Sequence, residues 1–160
     1  MGKGRTLAGF VVENISRGLK KHVWISVSAD LYEDAKRDLS DLGLGSWASK
    51  KCYNLSDFKS NESIDCDEGV MFCTYSTLIA KSKSGTRFDQ LLEWLGSDFN
   101  GLLCLDECHK CKSIELDGNG SPKKGSSQTG KSCQRYCSDC PFPHRSSCLL
   151  LFSDCQSFYF

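Results

Sequence analysis

The sequence contains no apolar run that approaches the length of a membrane span. Its longest apolar stretches, such as residues 148–152, have about five residues, whereas a transmembrane helix needs about 20. Lys3 and Arg5, followed by apolar residues 7–12, are similar to the start of a secretory signal, but Glu13 and Asn14 interrupt that stretch. The sequence therefore favours neither a membrane-spanning segment nor a secretory signal.

The sequence also lacks a net charge. Its 20 Lys and Arg residues balance 20 Asp and Glu residues, so the overall charge does not indicate binding to nucleic acid or to a membrane. The length of 160 residues, with 39% hydrophobic and 25% charged residues, is typical of one globular domain.

Cysteine, by contrast, is abundant. The chain has 11 cysteines, and an odd number without a secretory signal argues against a secreted disulfide scaffold. Cys73 and Cys104 lie inside apolar runs, where a free thiol behaves as a small core residue.

Apolar patterning alternates between strands and helices. Three short apolar runs are typical of buried strands: HVWISVS (residues 22–28), GVMFCTY (69–75) and GLLCLDE (101–107). Three stretches with apolar residues every three or four positions predict helices: residues 4–21, with Gly18 near the end; residues 29–43, with Asp30 as cap and Gly43 at the end; and residues 87–96. This alternation predicts an α/β fold with a mostly parallel sheet, whose ligands bind at the carboxyl ends of the strands.

Two segments lack such a pattern. Residues 44–69 are polar and predict loops with one short strand or helix. Residues 117–131, DGNGSPKKGSSQTGK, are a Gly/Ser/Lys loop. Residues 121–160 contain nine serines and five cysteines but no Ala, Val, Ile or Glu, and they predict an irregular tail up to the apolar run CLLLF.

The first candidate motif is Gly2-Lys3-Gly4, ahead of the first helix. A phosphate-binding loop combines glycines, a Lys that reaches the terminal phosphates and a helix N-terminus. Only the end of the usual signature is present, and Gly4 lacks the hydroxyl that normally binds magnesium. Thr6 is a possible substitute for that hydroxyl. A flexible basic N-terminus is the alternative interpretation.

The second candidate motif is LLCLDECHK, residues 102–110. A buried strand that ends in two acids suits a nucleoside triphosphatase, in which Asp106 binds magnesium and Glu107 orients or deprotonates the attacking water. His109 would link the nucleotide state to neighbouring elements. The alternative is a solvated acidic turn after a strand.

The cysteines offer a third candidate. Cys108 and Cys111, with a set in the tail, have spacings that suit tetrahedral zinc; the tail residues are Cys137, Cys140, His144 and Cys148. The alternative is an unstructured tail with two incidental thiols beside the acidic motif, because the tail lacks an apolar scaffold.

Two hydroxyl-rich segments each follow a strand into a helix: ISVSADL (residues 25–31) and TYSTLI (74–79). Their side chains suit contacts with a nucleic-acid backbone. Ser28, Ser76 and Thr77 suit helix capping equally well.

Taken in order, these pieces resemble the strawberry notch family, large nuclear proteins with a helicase-like ATPase core of the superfamily 2, DEAD/H-box type. The resemblance covers about residues 2–131. It rests on GKGRTLAGFVVENISRG, HVWISVSADLYEDAKRDLSDLG, EGVMFCTYSTLIAKSKSG, RFDQLLEWLGSDFNGLLCLDECHKCK and GSSQTGK. Gly4 after the Lys is the family's own variant of the loop.

The resemblance implies a RecA-like P-loop domain with ATP and magnesium as cofactors. It implies that residues 2–6 bind the cofactor: Gly2, Lys3, Gly4, Arg5 and Thr6. Asp106 becomes the magnesium ligand, and Glu107, Asp106 and His109 become the catalytic set. It also implies a nuclear protein that regulates transcription, with nucleic acid, chromatin or transcription regulators as partners and no membrane.

The chain also departs from the family's pattern. The family has a strand and several glycines before Gly2, and it continues past Lys131 with a helix and a Ser-Ala-Thr strand. We therefore expect residues 1–120 to be part of the first RecA-like domain, and residues 121–160 to be a loop and an unstructured or out-of-frame tail. A fragment of this kind is expected to have weak or no ATPase activity alone. The alternative function is a small zinc-binding interaction module built on the tail.

Overall fold

The computed structural model describes residues 2–82, 85–107 and 149–152. Its core is a five-stranded sheet. The strands are β1 (Lys21–Ser26), β2 (Cys52–Asn54), β3 (Gly69–Thr74), β6 (Leu102–Leu105) and β7 (Leu149–Phe152). Their order in the sheet is β2-β3-β1-β6-β7, and every neighbouring pair is parallel. A two-stranded antiparallel ribbon is formed by β4 (Lys81–Ser82) and β5 (Gly85–Thr86). The expectation of an α/β fold with a mostly parallel sheet is confirmed.

Helices precede and connect the strands. They are α1 (Lys3–Ser16), α2 (Leu31–Leu39), α3 (Gly45–Lys51), α4 (Tyr75–Ile79) and α5 (Arg87–Leu95). A π-helical turn (Ser40–Leu44), interrupted by a kink at Gly43 where φ is 94°, joins α2 to α3, and a 3₁₀ turn (Leu55–Asp57) follows β2. Among the described residues, no helix is long and apolar enough to cross a membrane.

Helix α1 follows the predicted apolar stripe. Leu7, Ala8 and Val11 are buried because spacings of three and four place them on one helical face. The helix ends at Ser16, and two residues later Gly18 has a φ of 84°, the left-handed conformation that glycine adopts without a steric cost. The Gly18 N–H bonds to Ile15 O at 2.9 Å and the Leu19 N–H to Asn14 O at 3.1 Å. This Schellman pattern satisfies the last carbonyls of the helix.

The two faces of the sheet carry separate apolar cores. Strand side chains alternate between faces, so Val23 and Ile25 of β1 point to one side while Trp24 points to the other. The first core packs against α4 and α5 and includes Leu91; the second packs against α1, α2 and α3 and includes Leu39. Burial of every residue of β3 and β6 is the expected consequence of helices on both faces.

The predicted buried thiols are confirmed. Cys73 on β3 and Cys104 on β6 are both 0% exposed, and both are free thiols. Burial raises the pKa of each thiol, because a thiolate would lose its hydration inside the core. Both residues therefore act as small apolar residues in the sheet.

The segment between α2 and β3 holds more structure than the sequence indicates. Residues 44–69 predict loops with one short strand or helix, whereas the structure has α3, β2 and the 3₁₀ turn there. Helix α3 buries only Ala48, and β2 has a single buried residue, Cys52. Elements this short and this exposed leave no periodic signal in the sequence.

The capping predictions were partly wrong. Asp30 precedes α2, but its side chain makes no capping hydrogen bond; instead, Ser28 Oγ accepts a hydrogen bond from the Asp30 N–H at 3.4 Å. At α4 the cap is Thr74, whose Oγ1 accepts from the Thr77 N–H at 3.1 Å, so Ser76 and Thr77 are not the caps. Thr74 is the last residue of β3, and the strand passes directly into the helix there.

Candidate functional site

The N-terminus of α1 and the carboxyl end of β6 meet at one edge of the sheet. Lys3 is the first residue of α1, and Glu107 lies two residues beyond the end of β6. The Lys3 Nζ lies 3.4 Å from Glu107 Oε1, although 104 positions separate the two residues in the chain. The structure thus brings together the Lys and the acidic motif that the sequence singled out.

Asp106 is held at its backbone and at its carboxylate. Its N–H bonds to Ile25 O at 2.9 Å, which continues the β1–β6 ladder beyond β6. Its carbonyl accepts from the Tyr75 hydroxyl at 2.9 Å, and its Oδ2 accepts from Ser26 Oγ at 2.9 Å. Two of these bonds come from β1 and the third from the first residue of α4, so Asp106 has a defined position.

The backbone of Glu107 has an unusual conformation. Its φ is 53°, the only positive φ among the described non-glycine residues, and this left-handed region costs a residue with a Cβ about 1–2 kcal/mol. Such strain concentrates at functional sites, where the neighbouring structure imposes it. Here the fixed Asp106 precedes Glu107, and the turn directs the carboxylate of Glu107 toward Lys3.

The first turn of α1 contains the remaining cofactor-binding candidates. The Thr6 hydroxyl donates to Gly2 O at 3.0 Å, and Arg5 forms a 3.9 Å ion pair with Asp41 of the π-helical turn. At Gly4, a Cβ atom would lie only 2.6 Å from Oδ2 of Asp38 on α2. Glycine at this position therefore permits a close approach of the Asp38 carboxylate to α1.

Both hydroxyl-rich segments reach the acidic pair, through residues that sequence analysis missed. Ser26 ends β1 and bonds to the Asp106 carboxylate, and Tyr75 begins α4 and bonds to the Asp106 carbonyl. The signal available in the sequence was their place at the ends of buried strands, since the carboxyl ends of parallel strands share one edge. Thr74 Oγ1 also lies 2.9 Å from the hydroxyl of Ser76.

The donor set suits magnesium better than a metal that needs a protein cage. Among the described residues, no group of three or more His, Cys, Asp or Glu side chains is arranged to hold a metal ion. Magnesium is commonly bound through one or two carboxylates together with the phosphates of a substrate. Asp106 and Glu107 provide such carboxylates beside Lys3, so these residues fit a magnesium–nucleotide complex.

Several predicted site residues lie outside the described residues. They are His109 of the acidic motif and the six candidate zinc ligands, Cys108, Cys111, Cys137, Cys140, His144 and Cys148.

Comparison with known proteins gives one family. The family model described as "P-loop containing NTP hydrolase pore-1" matches residues 1–143. No solved structure matches the chain.

Three relatives illustrate the similarity. The chain is 47% identical over 134 residues to "Protein strawberry notch" of Drosophila melanogaster, a match that covers 78% of this chain and 8% of the relative. It is 45% identical over 132 residues to human "Protein strawberry notch homolog 1", covering 78% and 9%. It is 41% identical over 126 residues to "Protein FORGETTER 1" of Arabidopsis thaliana, covering 78% and 10%. The chain thus spans about a tenth of the length of these relatives. It belongs to the P-loop containing NTP hydrolase family and is a homologue of the strawberry notch proteins.

Proposed function

We propose that the edge formed by the start of α1 and the end of β6 binds the phosphates of ATP. The observation that carries this proposal is the 3.4 Å approach of Lys3 Nζ to Glu107. It brings an ammonium group, a helix N-terminus and two carboxylates together in a member of a P-loop family. Phosphates are favoured at a helix N-terminus because the first N–H groups lack partners within the helix.

Residues 2–6 form the phosphate-binding part of this site. Lys3 donates to the terminal phosphate oxygens, where it neutralises charge. Gly2 leaves room for phosphate oxygens to approach the backbone, and Gly4 offers its backbone N–H, because the Asp38 carboxylate occupies the side-chain position beside it. Arg5 and Thr6 extend the same turn, in which the Thr6 N–H bonds to Gly2 O at 2.9 Å. A bound phosphate would compete with the Glu107 carboxylate for the Lys3 ammonium group.

Asp106 and Glu107 have different roles in the proposed reaction. Asp106, fixed by Ser26, is the ligand for magnesium, which neutralises charge on the β- and γ-phosphates when it is bound. Glu107 accepts a hydrogen bond from the attacking water and so orients it toward the γ-phosphate. His109, in the same motif, completes the catalytic set.

We propose a nuclear role in transcription. The support is the similarity to strawberry notch proteins, the family whose resemblance implies such a role. Nucleic acid or chromatin is the proposed partner, because the hydroxyls of Ser28 and Ser76 follow strands at the edge that carries Asp106, and hydroxyls suit contacts with backbone phosphates. Binding of a labelled single-stranded oligonucleotide, measured with and without a non-hydrolysable ATP analogue, tests this part.

Titration of the full chain with fluorescently labelled ATP and magnesium tests the nucleotide site. Replacement of Lys3 by Met should weaken binding about tenfold or more, because a charge-assisted contact with phosphate is lost. Lys20→Met is the matched control, since Lys20 is exposed and lies beyond the opposite end of α1. Equal affinity of wild type and Lys3→Met would contradict the proposed site.

A further inference from the structure

Gly4 follows Lys3 at the position where the P-loop signature carries the hydroxyl that binds magnesium. An ideal Cβ built on Gly4 lies 2.6 Å from Asp38 Oδ2 and 3.8 Å from Asp38 Cγ. A real Cβ essentially never lies that close to another heavy atom. A serine or threonine at position 4 would therefore require the Asp38 side chain to leave its observed position.

Asp38 stands out among the carboxylates of α2. It is half-buried on the last turn of the helix, and its carboxylate makes no hydrogen bond or ion pair with another described residue. Glu33 and Asp34, one turn earlier, are exposed and pair with Lys36 and Arg37. A partly buried carboxylate is costly when no positive charge or donor compensates it.

The position of Asp38 is fixed by the packing of α2 on α1. Its neighbour Leu39 is 0% exposed and shares a core with Leu7 and Ala8 of α1. The ion pair between Arg5 and Asp41, at 3.9 Å, joins α1 to the turn that follows α2. The Asp38 carboxylate is thus carried by a helix packed on α1 and lies close to the first turn of α1.

We propose that Asp38 supplies magnesium with the oxygen ligand that Gly4 lacks. The proposal rests on the proposed function, because the ion in question is the one that accompanies the nucleotide phosphates. A carboxylate oxygen is a ligand that magnesium prefers, and this one lies where the side chain of the missing Ser or Thr would be. The exchange of a neutral hydroxyl for a carboxylate also adds one negative charge to the site. The contribution of magnesium to nucleotide affinity therefore depends on Asp38.

A purely structural role for Asp38 makes a different prediction. A carboxylate near the first turn of α1 interacts favourably with the helix dipole. In that case, removal of the charge would lower the thermal stability of the protein, and the contribution of magnesium to nucleotide binding would stay unchanged.

The test measures the affinity of the full chain for a fluorescent, non-hydrolysable ATP analogue, in EDTA and in excess magnesium. In Asp38→Asn, the ratio of the affinity in magnesium to the affinity in EDTA should fall about tenfold, the effect typical of a lost metal-site contact. The affinity in EDTA should stay within twofold of wild type. Asp34→Asn is the matched control and should keep the wild-type ratio. Electron paramagnetic resonance of Mn²⁺ with the same analogue should show a parallel loss of bound metal in Asp38→Asn alone.

A second variant covers the case in which Asp38→Asn folds poorly, which circular dichroism would reveal. Gly4→Ser combined with Asp38→Ala restores the usual hydroxyl and removes the steric conflict, so it should recover the magnesium effect that Asp38→Ala alone loses. An unchanged ratio in Asp38→Asn, or an equal loss in Asp34→Asn, overturns the proposal. If wild type binds the analogue in neither buffer, the proposed function itself fails, and the role of Asp38 fails with it.

Discussion

Ser26 Oγ donates a 2.9 Å hydrogen bond to Oδ2 of Asp106, across the neighbouring strands β1 and β6. Ser26 is 0% exposed, so its hydroxyl is shielded from water. Hydrogen bonds to charged groups in such surroundings are stronger than those on the surface. Ser26 therefore fixes one oxygen of the carboxylate that we assign to magnesium.

Replacement of Ser26 by Ala should weaken magnesium-dependent nucleotide binding about tenfold, the range found when a group that orients a metal ligand is removed. The free energy of unfolding should fall by about 2 kcal/mol, because the bond to a charged acceptor is lost. Ser28→Ala, two residues along the chain, should leave magnesium-dependent binding unchanged and should cost less than about 1 kcal/mol of stability, because it removes only the long, exposed hydrogen bonds with Asp30. Nucleotide titration and urea unfolding measure both, and equal effects of the two substitutions would contradict the role of Ser26.

The left-handed backbone of Glu107 leads to a second prediction. Both Glu107→Gly and Glu107→Ala remove the carboxylate that faces Lys3, but only glycine also relieves the strain at φ 53°. Glu107→Gly should therefore have a free energy of unfolding about 1 kcal/mol higher than Glu107→Ala. Urea unfolding of the two variants measures this difference. A less stable Gly variant would show that the conformation is not strained in the folded protein.

The features that the sequence predicts correctly are those marked by a pattern among residues close together in the chain. The stripe on α1 and the continuous apolar runs of β1, β3 and β6 are local patterns, and each marks a buried element. Because the strands are parallel, their order also predicts that Lys3 and the acidic pair share an edge. The contact between Ser26 and Asp106 and the approach of Asp38 to Gly4 join residues far apart in the chain, and no local pattern indicates them.

The missed elements have a physical cause as well. Helix α3 and strand β2 have no apolar stripe and depend on a few tertiary contacts. One of these contacts is the hydrogen bond that the Tyr32 hydroxyl donates to the carbonyl of Cys52, the first residue of β2, at 2.7 Å. The backbone kinks at Gly43, whose φ of 94° is not helical. The helix end that the sequence predicts at Gly43 thus coincides with a break between two helical segments, and α3 begins two residues later.

His22 on β1 gives a prediction about pH. It is 0% exposed; its Nε2 lies 3.1 Å from Leu19 O, and its Nδ1 accepts from the Leu102 N–H at 3.3 Å. Burial lowers the pKa of His22 from its usual 6.5 to about 4, partly offset by the bond to Leu19. The folded protein thus holds the imidazole neutral at a pH where the unfolded chain would bind a proton.

The contribution of His22 to stability should be complete above pH 6.5 and should fall as the pH decreases toward 4. The unfolded state gains a proton in that interval and the folded state does not, so the total loss is about 3 kcal/mol. Carboxylates titrate in the same range, so the comparison is between wild type and His22→Gln in urea unfolding at several pH values. The difference between their pH slopes between 6.5 and 4 isolates the imidazole; equal slopes would refute the assignment.

Arg87 holds the connection between β2 and β3 in place. It is 6% exposed; its guanidinium bonds to the carbonyls of Leu55 and Phe58, at 2.9 Å for Phe58, and to the side chain of Gln90. Arg87→Met should lower the free energy of unfolding by about 3 kcal/mol, because buried carbonyls lose a charged donor. Arg37→Met, which removes an exposed ion pair with Asp34, should cost less than about 1 kcal/mol. Urea unfolding distinguishes the two.

The last prediction concerns turnover by this chain alone. Acceleration of phosphoryl transfer comes from several charges around the γ-phosphate, and an arginine finger by itself contributes about 10³–10⁵ in rate. Lys3 supplies one ammonium group at the acidic pair, which is enough to bind phosphate but not to surround the transition state. We therefore expect hydrolysis well below the roughly 1–100 s⁻¹ of kinases, even where the chain binds the nucleotide.

A colorimetric phosphate assay on purified protein measures this rate, with Glu107→Gln as the background control. Rapid turnover that disappears in Glu107→Gln would show that this chain already assembles a complete catalytic site.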